Sequence, residues 1–286
     1  GAVVVIGVFD GVHRGHCYLI KEALYAARNL NKKLVCITFY PHPKGEPCLI
    51  SLKHRLNLIA RLGVDICVVI RFNKSFARIP AKDFISGTMV KMFSPRLIFV
   101  GENFRFGHKA SGTVRLLKHF EKDFGYKVKA VKELASAGEK IGSRALRALI
   151  TSGRIKEAQK LLGRPVAVLG TVIKGQRRGR LVGYPTANIN PHHEVLPKEG
   201  VYAVRILYRK RRYNGLCNIG RRPTFSHALD SKTIEAHLFN FRKNIYGRDL
   251  EIQFAGRIRD EKKFPSLSSL SAQIHKDTFK AASLLK

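Results

Sequence analysis

The sequence has no tryptophan, only 2 methionines and few acids: 20 Asp plus Glu stand against 53 Lys plus Arg in 286 residues, a formal net charge of +33. No apolar run approaches the length that spans a bilayer. The longest, such as Val3-Val4-Val5-Ile6, are strand-sized, which excludes an integral membrane protein built on helical spans. Cysteine is scarce as well. The five residues (Cys17, Cys36, Cys48, Cys67, Cys217) are an odd number without a Cys-x-x-Cys pair, a poor basis for a disulfide framework or a structural zinc site. Cys36 and Cys67 sit inside apolar runs and read as core residues. This usage predicts a reducing, cytoplasmic setting. No basic segment precedes a short apolar one, so no secretory signal is expected. There is no Gly-x-x-x-x-Gly-Lys-Ser/Thr loop, no internal repeat and no low-complexity segment.

What is present is a globular composition, 45% apolar, with length for one large or two ordinary domains. The positive excess is shared by residues 1–163 and 164–286, so it is no basic tail. Its densest run, Arg209-Lys210-Arg211-Arg212, has the length of a hairpin connection. Such charge suits anionic partners: nucleic acid, a membrane surface or phosphorylated small molecules. No helix-turn-helix, zinc finger or RNA-binding aromatic motif accompanies it; the charge predicts nonspecific attraction of nucleic acid, and a basic nucleic-acid-binding protein is one alternative reading.

In the first half, short apolar runs alternate with helical patterns. Strands are predicted at 2–7, 34–40, 65–72, 97–100 and 127–131, and helices at 15–30 and 114–124. That alternation means a parallel α/β sheet. Helices at 145–152 and 155–162 close this half. The second half then gives strands at 166–173, 201–207, 213–218, 233–241 and 250–258 with no helix between them, the rhythm of a small antiparallel barrel or sandwich. A last helix spans about 266–284, with Leu267, Leu270 and Ile274 on its apolar side.

The first chemical signal is Gly7-Val8-Phe9-Asp10-Gly11-Val12-His13-Arg14-Gly15-His16, between a strand and a helix. His13 and His16 are three residues apart at a helix start and can face the same way. The helix N-terminus adds unpaired N–H groups and partial positive charge. Gly15 removes a side chain that would obstruct a phosphate. Together these suit a phosphate that gains negative charge during nucleotidyl transfer. In the second half, Gly175 to Asn188 is dense in glycine and arginine and ends in Pro185-Thr186-Ala187-Asn188. Thr186 and Asn188 offer two hard oxygens that face one side of an extended chain, a donor set that suits Mg²⁺ beside ATP phosphates. Glu235 is one of few acids there, placed among Ile234, Ala236 and Leu238.

These stretches resemble the bacterial bifunctional riboflavin kinase/FAD synthetases, and the resemblance runs from about Val3 to about Asp277. The Gly7–His16 segment is similar to the family's nucleotidyltransferase signature. Thr38-Phe39-Tyr40-Pro41-His42-Pro43, Gly101-Glu102-Asn103-Phe104-Arg105-Phe106-Gly107 and Ile141-Gly142-Ser143-Arg144-Ala145-Leu146-Arg147 follow in order. Pro185 to Asn188 with the flanking Gly-Arg and Gly-Tyr resembles the riboflavin kinase signature, as do Gly200 to Ala203, Asn218 to Phe225, Glu235 to Leu238 and Arg259 to Phe264. The resemblance implies an α/β plus β architecture. It places a Rossmann-like nucleotidyltransferase domain with a parallel sheet at 1–163, and a riboflavin kinase-like antiparallel β-barrel with a terminal helix at 164–286. It implies phosphorylation of riboflavin to FMN and adenylylation of FMN to FAD, with ATP as co-substrate of both and Mg²⁺ as cofactor.

It assigns His13 and His16 to the transferring phosphate, and Gly7, Phe9, Asp10, Gly15, Asn103, Ser143 and Arg147 to the nucleotide of the first site. In the second site it assigns Gly175, Arg180 and Gly183 to nucleotide, Thr186 and Asn188 to the metal, Glu235 to general base, and Arg259 and Glu261 to flavin. Two positions depart from the family pattern. Gly142, Ser143 and Arg144 stand where the family has Ser, Ser and Thr, and Tyr40 stands where it commonly has Asp. Kinase activity alone is the alternative these departures raise.

Overall fold

The computed structural model describes residues 1–136, 139–175, 183–221 and 232–286. The chain forms two compact units: Gly1–Cys48 with Leu52–Ser143, and Leu49–Ser51 with Arg144–Lys286.

The first unit is built on five parallel strands. They are β1 (Ala2–Ile6), β2 (Leu34–Tyr40), β3 (Ile66–Arg71), β4 (Pro95–Gly101) and β5 (Lys127–Val131), in the order β3-β2-β1-β4-β5. β1 and β2 are nearly continuous β-branched and apolar runs with almost every residue buried, as expected of central parallel strands covered on both faces. Helices α1 (Arg14–Asn29), α2 (Leu52–Arg61) and α3 (Val114–His119) connect them. The core unites Val4 and Ile6, Val35 and Ile37, and Ile98 and Val100 with Phe84, Ile85, Met89, Phe106, Leu117 and Tyr126. Cys36 and Cys67 are register partners on β2 and β3. Cys36 is fully buried and Cys67 partly so, and none of the five cysteines is in a disulfide. The helix expected at 114–124 breaks at Phe120 (φ −88°, ψ 10°) into two short pieces. The sequence reading gives no helix at Leu52–Arg61, where α2 stands.

The second unit begins with α4 (Ser143–Thr151), whose first residue is counted with the first unit, and α5 (Ile155–Leu162). Six strands then close a barrel: β6 (Val166–Ile173), β7 (Ala187–Asn190), β8 (Gly200–Tyr208), β9 (Arg211–Arg221), β10 (Lys232–Leu238) and β11 (Asp249–Arg259). Their order is β6-β7-β10-β9-β8-β11, with β11 pairing back onto β6, and every pair is antiparallel. Closure leaves no sheet edge to protect. Arg209 and Lys210 form the turn between β8 and β9, and Arg211 and Arg212 already belong to β9.

The last helix, α6 (Leu267–Leu284), corrects one sequence expectation. Leu267 is 53% exposed, so it is not on the packed face. That face is formed by Ile274 and Ala281, with Leu285 just beyond, against Val201, Ala203 and Leu216 of the barrel. The physical reason is an ion pair. Asp277 is only 1% exposed, and its carboxylate takes Arg259 at 2.8 Å and the Gln273 amide at 2.9 Å. This pair turns the Asp277 side of the helix toward the barrel, and the small Ala281 lets it approach.

Candidate functional site

In an open parallel sheet, ligands bind outside the carboxyl ends of the strands at the point where the strand order reverses. Here that point lies between β1 and β4. A cleft of about 310 Å³ occupies it, lined by Gly7, Phe9, His13, Gly15 and His16 after β1, Asn103 and Phe104 after β4, and Ser143. Of the seven predicted first-site residues besides His13 and His16, five line the cleft: Gly7, Phe9, Gly15, Asn103 and Ser143. Asn103 is exposed on the rim. Asp10 does not line the cleft; it is 1% exposed beside it, and its carbonyl accepts the Ser143 hydroxyl at 3.0 Å. Arg147 follows Ser143 by four residues on α4 and is not among the lining residues.

The loop that carries the two histidines is strained. Phe9 and Val12 hold φ of 53° and 40°, and Gly11 holds 79°, values that non-glycine residues seldom adopt. His13 caps α1 with its side chain: Nδ1 accepts the His16 amide at 3.3 Å. The two imidazoles stack with centroids 3.6 Å apart and planes at 19°, and Phe9 meets His16 edge-on at 5.3 Å. Gly15 makes this possible, because a Cβ there would press on the His13 ring at 3.3 Å. The result is a pair of rings beside the first free N–H groups of a 16-residue helix, open to the cleft.

Burial holds the His16 imidazole well below its ordinary pKa, with repulsion from His13 and from Arg55 adding to it. His16 is therefore neutral near pH 7. The sign follows from linkage. The unfolded chain takes up a proton at His16 below about pH 6.5 that the folded chain refuses, so stability falls as pH drops from there. We expect the His16 Cε1–H resonance to titrate well below that value in an NMR series. A midpoint at or above the free-imidazole value would contradict the packing described.

In the second unit, Glu235 stands in a row across three strands. It is the register partner of Asn188 on β7 and of Asn218 on β9. The Asn218 amide donates to Glu261 at 3.1 Å, while its buried Oδ1 has no hydrogen-bond partner among the described residues. Two residues beyond Glu235 on β10, His237 donates Nδ1–H to the Pro185 carbonyl at 2.8 Å. It thereby fixes the segment that enters Thr186 and Asn188. Gly175 packs against the Asn188 amide, with which a Cβ at that position would collide. Gly183 holds a positive φ of 80° at the start of this segment.

A cavity of about 510 Å³ adjoins Thr186, lined also by Val172, Phe241, Arg242, Lys243, Asn244 and Tyr246. Ala236 and Leu238 line it too, on the face of β10 opposite Glu235. Arg259 is engaged by Asp277 and lies over the Phe264 ring at 5.6 Å. Arg180, like Arg177 and Arg178, lies outside the described residues. Asn218 and the Arg242–Tyr246 stretch are the candidates that sequence reasoning missed. The resemblance gives Asn218 no role of its own, and the cavity-lining loop follows a strand predicted to run to Phe241.

Among the described residues no group of three or more His, Cys, Asp or Glu could hold a metal ion, and no helix is long and apolar enough to cross a membrane.

Comparison with known proteins matches both halves of the chain. A family model described as FAD synthetase matches residues 1–145, and one described as riboflavin kinase matches residues 162–285. A bifunctional riboflavin kinase/FMN adenylyltransferase from Haemophilus influenzae is 35% identical over 285 residues, 97% of this chain and 92% of the relative. The protein of the same description from Escherichia coli K12 is 35% identical over 289 residues, 98% of this chain and 92% of its own. A crystal structure from Streptococcus pneumoniae, described as a macrolide-efflux protein, superposes with a TM-score of 0.86 at 32% identity, covering 99% of this chain and 94% of the other.

Proposed function

The chain belongs to the family of bifunctional riboflavin kinase/FMN adenylyltransferases, and from that premise we propose that each of its two candidate sites carries one of the two reactions. Riboflavin is phosphorylated by ATP to FMN, and FMN is adenylylated by ATP to FAD with release of pyrophosphate. We assign adenylyl transfer to residues 1–163 and phosphorylation to residues 164–286. The carrying observation is the stacked histidine pair at the N-terminus of α1, inside a cleft at the switch point of a parallel sheet.

In the first site, an FMN phosphate oxygen attacks the α-phosphorus of ATP, and the bond to the β-phosphate oxygen breaks. Charge builds on the α-phosphate oxygens. His13, His16 and the free N–H groups of α1 are fixed in advance where that charge grows, so little reorganisation is needed as it forms. Gly7, Phe9 and Gly15 shape the approach, Asn103 holds the nucleotide from the rim, and Ser143 faces its phosphates. Asp10 is buried and holds the loop to Ser143.

In the second site, the 5′-hydroxyl of the riboflavin ribityl chain attacks the γ-phosphorus of ATP, and ADP leaves. Glu235 accepts the hydroxyl proton. The adenine nucleotide occupies the cavity beside Thr186, where Arg242 and Lys243 complement its charge. Gly175, Arg180 and Gly183 belong to the nucleotide side, and Glu261, tied to Asn218, to the flavin side. Arg259 supports that side through Asp277. Thr186 and Asn188 fit Mg²⁺, since they present hard oxygens without a carboxylate cluster, as suits an ion that keeps water and phosphate as its other ligands. When bound, Mg²⁺ neutralises phosphate charge. The cysteine usage, an odd number without a Cys-x-x-Cys pair, supports a cytoplasmic setting.

The test is direct. The chain is incubated with riboflavin, ATP and Mg²⁺, and the flavins are separated by chromatography. FMN is expected first and FAD after it, and both vanish when a chelator removes the metal. FMN that never proceeds to FAD would leave kinase activity alone.

A further inference from the structure

Arg55 on α2 is a buried cation. Its side chain is 0% exposed. Nη1 donates to the carbonyl oxygens of Val8 at 2.9 Å and Phe39 at 3.0 Å, and to the Thr38 hydroxyl at 3.2 Å. Nη2 approaches the Cys48 sulfur at 3.5 Å, and Nε is buried without a hydrogen-bond partner. No carboxylate among the described residues pairs with the guanidinium. Thr38, also fully buried, donates its hydroxyl to the same Val8 carbonyl at 2.8 Å.

Burying an uncompensated cation is costly, so packing alone is a poor reason to have one. What Arg55 does hold is specific. Val8 immediately precedes Phe9, where the strained turn toward His13 and His16 begins. Backbone strain of this kind persists only where neighbouring groups over-determine it. Two fully buried donors converge on one carbonyl at its entry. A guanidinium suits the task because its planar fork reaches acceptors on two segments at once, here the ends of β1 and β2. Its charge is also among the causes that keep His16 neutral.

We propose that Arg55 is a positioning residue for adenylyl transfer: with Thr38 it pins the Val8 carbonyl, and so fixes the turn that presents His13 and His16 to the transferring phosphate. Arg55 touches neither substrate in this scheme. The inference rests on the assignment of adenylyl transfer to this cleft.

Steady-state kinetics on the full chain test it, with Arg55→Met, Arg55→Lys and Thr38→Val each assayed for FAD from FMN and for FMN from riboflavin. Misplaced histidines lose transition-state contacts more than ground-state ones. Arg55→Met is therefore expected to lower kcat for FAD formation about 100-fold, with KM for ATP and FMN changed less than about threefold. Riboflavin phosphorylation in the same sample stays near wild type. Arg55→Lys, which keeps the charge but loses the fork, recovers about a tenth of the lost rate. Thr38→Val lowers the same kcat about tenfold and leaves phosphorylation unchanged.

Wild-type chain that makes no FAD would remove the underlying assignment. Wild-type chain that makes FAD while Arg55→Met keeps its kcat within threefold would remove the positioning role alone, as would equal loss of both reactions. Should Arg55→Met not fold, Thr38→Val decides: wild-type FAD formation in that variant overturns the proposal.

Discussion

Glu235→Gln stops FMN formation from riboflavin while FAD formation from supplied FMN continues at the wild-type rate. The substitution keeps the shape and removes only the ability to accept a proton. A primary alcohol attacking a phosphorus must lose its proton as the bond forms, and a positioned base contributes typically 10²–10⁴-fold, or about 3–5 kcal/mol of barrier. Glu235 is held for this task by its register partners on both sides, Asn188 and Asn218. The amide introduced by Gln fits among the same neighbours, so folding should be preserved. Initial rates with riboflavin and with FMN, measured on one preparation, check the outcome. A variant that retained more than about a tenth of its FMN-forming rate would show that Glu235 is not the base.

His13→Ala has the opposite signature: FAD formation falls and FMN formation persists. Removing one preorganised donor aimed at developing charge costs about 10²–10³-fold. More is lost here than a single contact. His13 caps α1 through Nδ1 and forms one half of the ring stack, so its removal frees both the first turn of the helix and the His16 ring. Loss of a side-chain cap alone costs about 1 kcal/mol of stability, which a globular chain of this size tolerates. The kinase rate in the same sample reports whether the protein remains folded. Equal damage to both reactions in a folded variant would end the two-site picture.

The difference between the two sites also explains what was legible in the sequence. His13, Gly15 and His16 make their site within four residues, at a junction of strand and helix that hydrophobic periodicity already marks. Both the residues and their setting can be read along the chain. The Asn188–Glu235–Asn218 row joins residues from three strands, and only register brings them together. Asn218 therefore carries no signal of its own. β7 is four residues long, too short for alternation to announce it. Arg55 is hidden for another reason. An arginine on an amphipathic helix reads as a solvated surface residue, and only tertiary packing shows it enclosed. The terminal helix shows the same limit in reverse: Leu267 fits an apolar stripe by spacing, yet the paired Asp277 takes the buried position. Spacing records which residues share a face and is silent on which face is packed.

One short segment bears on how such a chain can be inherited or rebuilt. Leu49–Ser51 precedes α2, yet it folds with the second unit. There the buried carboxylate of Glu194 takes the Ser51 amide at 2.9 Å, the Ser51 hydroxyl at 2.7 Å and the Leu169 amide at 2.9 Å, and Val195 donates to the Leu49 carbonyl. The two units are thus interleaved in the gene although each has its own core. A second half spliced onto a foreign partner at any single point after residue 51 would arrive without the Ser51 amide and hydroxyl that Glu194 accepts. A chimera that exchanges either half keeps these contacts only if it carries Leu49–Ser51 along with the second half.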